Sequence, residues 1–568
     1  MTIPQQTSSN PLRDAIQNRR FSYMVELVAS AKTTEEQLAE MGASIAQIPG
    51  VVAAGVTSFA GGSAGHDPKT IAKIVKSRGL TPNVHLTCVS NPRQTALEAL
   101  DDLHASGIPN IFAITGDHPQ AGKLKKSDLA PLSGYDLDSP QLIELIAELR
   151  RAGRDQLISC AVSPFKYTEA DCVYQYIKLE KKIAAGADFA ITQLGYDSRK
   201  FAELKRYLKE RGLGDYPVYG NVYVLSAPAA RKFAKGEPPG CWCSVELRDL
   251  IAEEAKAADK GLAARLERAA KMVAVVRGQG YAGAYLGGTH DAKQLQWIIE
   301  RSEELAGDWE KWAAEISYGP TEANTRQIPA APPAAPAPPK PPVEAAAAPA
   351  AVAVDGAPAA PTPAAAAPTA VAPAAPAAPP APPAMLPIFP WPPFYLYDQP
   401  ALPAKPLPFK VRMYDVLNSL ALAHNPGPRR SIGRALMSWF DSSPSRARSL
   451  EEAELSFKKD AFGCQACGNC VLGEMEYVCP MTCPKNLRNG PCGGPLNGMC
   501  EVTPEQPCIW VAVYDRAKAR DNLKELKTMI PARVRELANT SSYINFYLDR
   551  DSRPEHPQPL VQISRVQK

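Results

Sequence analysis

Two patterns of apolar and polar positions alternate through the first half of the chain. Short, β-rich apolar runs recur as YMVELVA (23–29), VVAAGVTSF (51–59), NVHLTCV (83–89), NIFAITG (110–116), LISCAVS (157–163), DFAITQLG (188–195), VYGNVYVL (218–225) and AGAYLGG (282–288). Between them lie amphipathic stretches such as TTEEQLAEMGASIAQI, NPRQTALEALDDLHASG and SPQLIELIAELRRAG. Several close on glycine, which suits the end of a helix. Eight strands alternating with helices predict an α/β fold, a (β/α)8 TIM barrel over residues 1–318. The rival is an open doubly wound sheet, which normally carries a Gly-rich loop after its first strand. Here that stretch reads VELVASAKTTEEQ, without a glycine.

Beyond the barrel the pattern stops. Of 56 prolines, 24 fall in residues 321–400, interleaved with alanine runs. Residues 319–395 are therefore expected to be a disordered Pro/Ala-rich linker, with too little apolar bulk to offset the entropy of ordering. Where extended, such a spacer spans about 3.1 Å per residue. The aromatic string PIFPWPPFYLYDQP that ends it is a candidate for docking on a domain. Residues 396–568 hold FKVRMYDVLNSLALAHNPGPRRSIGRALMSWF, read as one or two basic amphipathic helices, and then a Cys-rich segment.

Charge and cysteine usage narrow the class. A net charge of +4 on 568 residues removes the electrostatic case for nucleic acid as a partner. No apolar run approaches the roughly 18 residues a membrane span needs, and the N-terminus lacks a secretory apolar region. A cytoplasmic protein is expected. In a reducing compartment, clustered thiols point to metal rather than disulfides. Cys464, Cys467, Cys470, Cys479, Cys483, Cys492, Cys500 and Cys508 make that cluster. Eight thiolates allow two four-Cys sites, each Zn2+ or an iron–sulfur cluster such as [4Fe-4S]. The C-x2-C-x2-C spacing and the prolines after Cys479 and Cys483 are common in iron–sulfur proteins. The Gly/Pro/Asn content predicts a loop fold with little core, stabilised by its metal, and the barrel is expected to fold without it.

Barrel chemistry sits at the C-terminal strand ends. Those positions hold Glu26, Thr57 with Ser58, His85 with Thr87, Thr115–Gly116–Asp117, Ser163 and Gln193. A carboxyl inside YMVELVA is desolvated, which raises its pKa and suits a general acid. Each residue also has a plainer reading: Glu26 paired with Arg or Lys, Asp117 as a turn or cap residue, His85 as a hydrogen-bonded core histidine, Gln193 satisfying backbone. Their convergence on one barrel end favours a site without naming its reaction.

The ordered strings MVELVAS, HLTCVSN, AITGDHP and GADFAITQLGYD resemble the catalytic barrel of the methylenetetrahydrofolate reductases over about residues 20–300. The Cys-rich segment is similar to the zinc-binding C-terminal domain beside some of those enzymes, a separate subunit in acetogenic bacteria. The resemblance implies a flavin (FAD, with FMN possible) and reduction of 5,10-methylenetetrahydrofolate to 5-methyltetrahydrofolate. It implies Glu26 as general acid, Asp117 beside flavin and pterin, and Gln193 fixing the pterin. Thr57, His85, Thr115, Gly116, Ser163, Tyr167 and Lys182 would line the flavin. Three positions depart from the family pattern. Thr115 stands where LRGD is frequent, and Tyr167 stands where a histidine holds the adenylate side of FAD. The aromatic that stacks on folate aligns near Ala227, leaving Tyr223 or Leu225 to substitute. The electron donor, whether NAD(P)H, a reductase or ferredoxin, stays open, as does a homo- or hetero-oligomeric state. Alternatives are a methyltetrahydrofolate-dependent methyltransferase barrel and a non-enzymatic electron-transfer adaptor.

Overall fold

A computed structural model of the chain describes residues 10–320 and 427–551, with 409 and 411–414, leaving out 31, 58–65, 90–92, 120, 123–124, 126–131 and 133. The predicted docking string and nearly all of the predicted linker lie outside the described residues, as does Ser58. Among the described residues no helix is long and apolar enough to cross a membrane.

All eight predicted strands form: β1 (Ser22–Leu27), β2 (Val51–Val56), β3 (Pro82–Thr87), β4 (Asn110–Ile114), β5 (Leu157–Val162), β6 (Phe189–Thr192), β7 (Val218–Tyr223) and β8 (Gly283–Gly287). Each pairs in parallel with the next, and β8 returns to β1, closing the barrel. Strands buried on both faces read as continuous apolar runs, which is why they were visible in the sequence. Each strand stops one to three residues short of its predicted run, because the last residues leave the ladder for the βα loops.

Helices follow the intervening stretches. The TTEEQ string gives α2 (Glu35–Ala46) a reciprocal cap, Thr34 accepting from Gln37 N and the Gln37 side chain accepting from Thr34 N. The 17-residue α6 (Glu169–Ala185) ends on Gly186 at φ +112°. At the N-terminal end of the barrel α1 (Pro11–Gln17) acts as a plug, with Leu12 and Ala15 packed under Met24, Phe112, Phe189 and Tyr219. Asn10 locks it by donating to Asn110 Oδ1 at 2.7 Å. Only the C-terminal mouth remains for chemistry.

The Cys-rich segment belongs to the same compact unit as the barrel. It also has more core than its composition suggested: Val411, Tyr414, Phe462, Leu472, Tyr477, Cys479 and Met481 form one apolar cluster, and Trp510 and Leu487 are fully buried. Its residues 485–501 lie against α5 (Ser139–Arg151) and α6. Asp138, the N-cap of α5, accepts from Arg488 N at 3.0 Å and Asn489 N at 2.8 Å. Lys178 of α6 donates to Gly490 O and Pro491 O, Gln175 to Cys492 O, and the nearby Lys166 to Pro495 O. A segment expected to be tethered is docked, and its carbonyls take the place of water around buried lysines.

Candidate active site at the barrel mouth

Glu26 lies one residue from the end of β1, opposite Gly55 of β2. Its carboxyl turns toward β8: a Cβ placed on Gly287 would stand 2.7 Å from Glu26 Oε2 and 3.0 Å from Tyr223 Cδ2. Glycine at 287 thus leaves room for an acid and an aromatic ring side by side. Burial alone pushes the Glu26 carboxyl up to about 7. Among the described residues no ion pair involves it. A carboxyl in this state holds its proton near neutral pH, as a general acid must.

Asp117 follows the turn at Gly116 (φ +79°), where a Cβ would meet Val89 and Thr87. Burial and the neighbouring Glu501 raise Asp117 to about 6, against the opposing charge of Lys485. The buried thiol of Cys241 lies within electrostatic reach of both Asp117 and Glu26, and with burial these raise it to about 12, so it remains a thiol. Gln193 leaves β6 with its amide beside Gly240, whose Cβ would lie 3.1 Å from Gln193 Nε2. Its Oε1 accepts from Leu194 N at 2.9 Å.

The remaining candidates divide. Thr57 and Ser163, just past β2 and β5, each bury a hydroxyl with no hydrogen-bond partner among the described residues. Buried polar groups without partners call for an explanation, and a polar ligand at the mouth supplies one. Thr115 Oγ1 instead donates to Ser139 Oγ at the start of α5. His85 is buried within the barrel beside Phe112, its Nε2 3.4 Å from Tyr285 OH, and burial lowers it to about 3, so it stays neutral. Tyr167 donates to Asp197 Oδ2 at 3.2 Å and tilts against Trp242. Lys182 donates to Ala161 O at 2.6 Å and ties α6 to β5.

Sequence reasoning missed four residues at this mouth. Besides Cys241 they are His290, which accepts from Val28 N two residues past Glu26, and Lys485 and Glu501 of the Cys-rich segment. The C-W-C string 241–243 and the polar string THD after β8 were the available signals for Cys241 and His290.

The eight clustered cysteines fall into two sets. Cys464, Cys467, Cys470 and Cys479 line one cavity. Its loop alternates hand at Ala466 (φ +53°) and Gly468 (φ +69°), and Ala466 N donates to Cys464 Sγ at 3.4 Å. Such a nest of backbone N–H groups suits an anionic centre. Cys483, Cys492, Cys500 and Cys508 influence one another instead: Cys500 acts on Cys483, Cys483 on Cys492, and both Cys483 and Cys492 on Cys508. Among the described residues no three His, Cys, Asp or Glu side chains gather closely enough to hold a single metal ion.

A closed eight-stranded barrel with a desolvated acid at its C-terminal mouth is the architecture of a barrel enzyme. Residues 12–273 match the family described as methylenetetrahydrofolate reductase, and residues 444–536 match the one described as methylene-tetrahydrofolate reductase C terminal. Two separate regions of the chain are thus similar to methylenetetrahydrofolate reductases, the first match covering just under half of its residues. It is 32% identical over 178 residues to 5,10-methylenetetrahydrofolate reductase of Pectobacterium carotovorum subsp. carotovorum, covering 31% of this chain and 55% of that protein. It is 30% identical over 155 residues to methylenetetrahydrofolate reductase 2 of Saccharomyces cerevisiae, covering 27% and 25%. The match thus spans about half of the bacterial relative and a quarter of the yeast one. A solved structure described as an uncharacterized protein from Clostridium thermocellum that binds two copies of 5-methyl-5,6,7,8-tetrahydrofolic acid is 12% identical. It covers 52% of this chain and 99% of its own at a TM-score of 0.37, a likeness too slight to bear on function.

Proposed function

We propose that the barrel reduces 5,10-methylenetetrahydrofolate to 5-methyltetrahydrofolate in the cytoplasm, with Glu26 as general acid and a flavin as hydride source. The observation that carries this reading is Glu26, buried with no ion pair among the described residues and raised to about 7. Its proton goes to nitrogen 10 of the substrate, whose bond to the methylene carbon breaks to leave an iminium at nitrogen 5. A bound flavin supplies the hydride that this carbon accepts. Asp117 and Gln193 hold the pterin, and the unpartnered hydroxyls of Thr57 and Ser163 suit the flavin's polar edge. Tyr223, against Glu26, offers the substrate an aromatic face. Neutral His85 supports the interior through Tyr285 rather than as a charged ligand.

The Cys-rich domain holds two four-thiolate centres on this reading, one on Cys464, Cys467, Cys470 and Cys479 and one on Cys483, Cys492, Cys500 and Cys508. The cavity lined by Cys464, Cys467, Cys470 and Cys479 suits an iron–sulfur cluster better than a lone Zn2+, which draws its ligands to about 2.3 Å. Such a domain serves electron relay from a reductase, ferredoxin or NAD(P)H-linked partner.

Spectroscopy and metal analysis of the isolated protein test both parts. Flavin absorbance, with iron and sulfide near two clusters per chain, is expected. A colourless protein rules out the reductase reading and favours methyl transfer; zinc without iron rules out the relay. Glu26→Gln is expected to cut the folate half-reaction by about 10²–10⁴-fold while leaving the flavin reducible. Full folate activity in that variant would remove Glu26 from its role.

A further inference from the structure

We infer that the Cys-rich domain completes the barrel's catalytic centre, with Lys485, steadied by Glu501, acting as the positioning residue for the Gly116–Asp117 turn. The inference rests on the function proposed above.

The β4–α5 connection, residues 115–138, is long, and its described residues contain neither helix nor strand. Loops of that length are uncommon unless functional. Here the hold comes from outside. Gly116 lies two residues past the last β3–β4 pair at Ile114, and its carbonyl accepts from Lys485 Nζ at 2.8 Å. Further along the connection, Gly122 N donates to Glu501 O at 2.8 Å and Tyr135 N to Lys485 O at 3.0 Å. Lys485 also lies 5.9 Å from the centre of the Tyr135 ring. The Lys485 and Glu501 side chains pair with each other and are each 2% exposed.

A buried ammonium on a carbonyl is a charge-assisted bond, stronger than a neutral one. It fixes the Gly116–Asp117 peptide plane, and with it the direction in which Asp117 leaves the turn. Gly116 makes this necessary. At φ +79° glycine has no side chain to hold the turn and the widest freedom to lose it. The barrel supplies the aspartate, and the Cys-rich domain sets its angle.

Three full-length variants test this: Lys485→Met, Lys485→Arg, and the double variant Lys485→Met/Glu501→Gln, which removes the buried Lys485–Glu501 pair as a unit. Backbone hydrogen exchange over residues 114–118 is read on ligand-free protein. The midpoint potential of bound flavin, and kcat and KM for 5,10-methylenetetrahydrofolate, are read on holoenzyme. Lys485→Met should speed exchange at least tenfold, shift the potential and lower kcat/KM at least tenfold. Lys485→Arg should recover part of each. The double variant should regain the wild-type melting temperature without regaining exchange, potential or kcat/KM, because Gly116 O still lacks its donor. Should Lys485→Met fail to fold, the double and arginine variants carry the test. Wild-type exchange in Lys485→Met overturns the positioning itself, whatever the ligand. So does a double variant that regains every property together with its melting temperature, since Lys485 would then act on folding alone. A wild-type protein that binds no flavin and turns over no folate defeats the reading of the site instead, while the exchange result still decides the positioning.

Discussion

Glu26 titrates near 7 in the folded chain because burial disfavours its anion, whereas the same carboxyl in an unfolded chain titrates near the ordinary 4.5. The folded state therefore binds the proton more tightly. Below about pH 4.5 both states are protonated and the group costs the fold nothing. Between about 4.5 and 7 the unfolded chain ionises first, and stability falls as pH rises. Above 7 the loss is complete, at about 3 kcal/mol for a gap of this size. Glutamine at 26 never ionises, so Glu26→Gln should stabilise the protein at pH 8 relative to wild type and have little effect at pH 4.5. Paired melting curves of the two proteins across that range check this. An equal difference at both ends of the range would mean the carboxyl is not desolvated. The same titration should limit catalysis, with wild-type folate reduction falling above about pH 7 as the acid is lost.

At the scale of elements, the strands were legible because a closed parallel sheet buries both faces, and Glu26 was legible as a charge interrupting an apolar run. α6 was not. Its KLEKK string reads as a solvated charged face, yet Lys178 and Lys181 are each 2% exposed, their ammonium groups directed at Gly490 O, Pro491 O and Asn489 Oδ1. Lys485 was equally hidden: its acceptor is a backbone carbonyl 369 residues away, and no local pattern encodes such a partner. Asp138 shows both kinds of information in one side chain. Its capping box with Gln141 is written in the sequence DSPQ, but its bonds to Arg488 N and Asn489 N are not. Asp138→Ala should remove a cap worth about 1 kcal/mol and leave two buried N–H groups unpaired at about 1–3 kcal/mol each. A loss of about 3 kcal/mol or more in denaturant unfolding is expected. A loss near 1 kcal/mol would mean the cap alone matters and the contact between the segments is loose.

For the whole molecule, the question is whether barrel and Cys-rich domain unfold separately. Outer helices of a barrel normally keep one face for water, but 12 residues of the 17-residue α6 are buried. One face of α6 lies on β5 and α5. The other carries Tyr174, fully buried and edge-on to Trp510 at 5.6 Å. Glu180 on the same helix pairs with Lys527, and Glu169 at its start pairs with Lys518. Apolar burial of that kind favours association far more than exposed ion pairs do. Removing residues 321–568 would uncover the Tyr174 face of α6, free the β4–α5 connection, and leave Asp138 with its own helix alone. The isolated barrel should then melt well below the full chain, expose apolar surface to a hydrophobic dye, and bind flavin poorly. Conversely, the full chain should show one cooperative calorimetric transition spanning both parts. Reagents that strip metal from the cysteines should lower that single transition rather than detach a separate smaller one, because a module stabilised by its metal transmits its loss through the shared face. Two resolved transitions, the upper matching the truncated barrel, would show the halves to be thermally independent and the interface too weak to couple them.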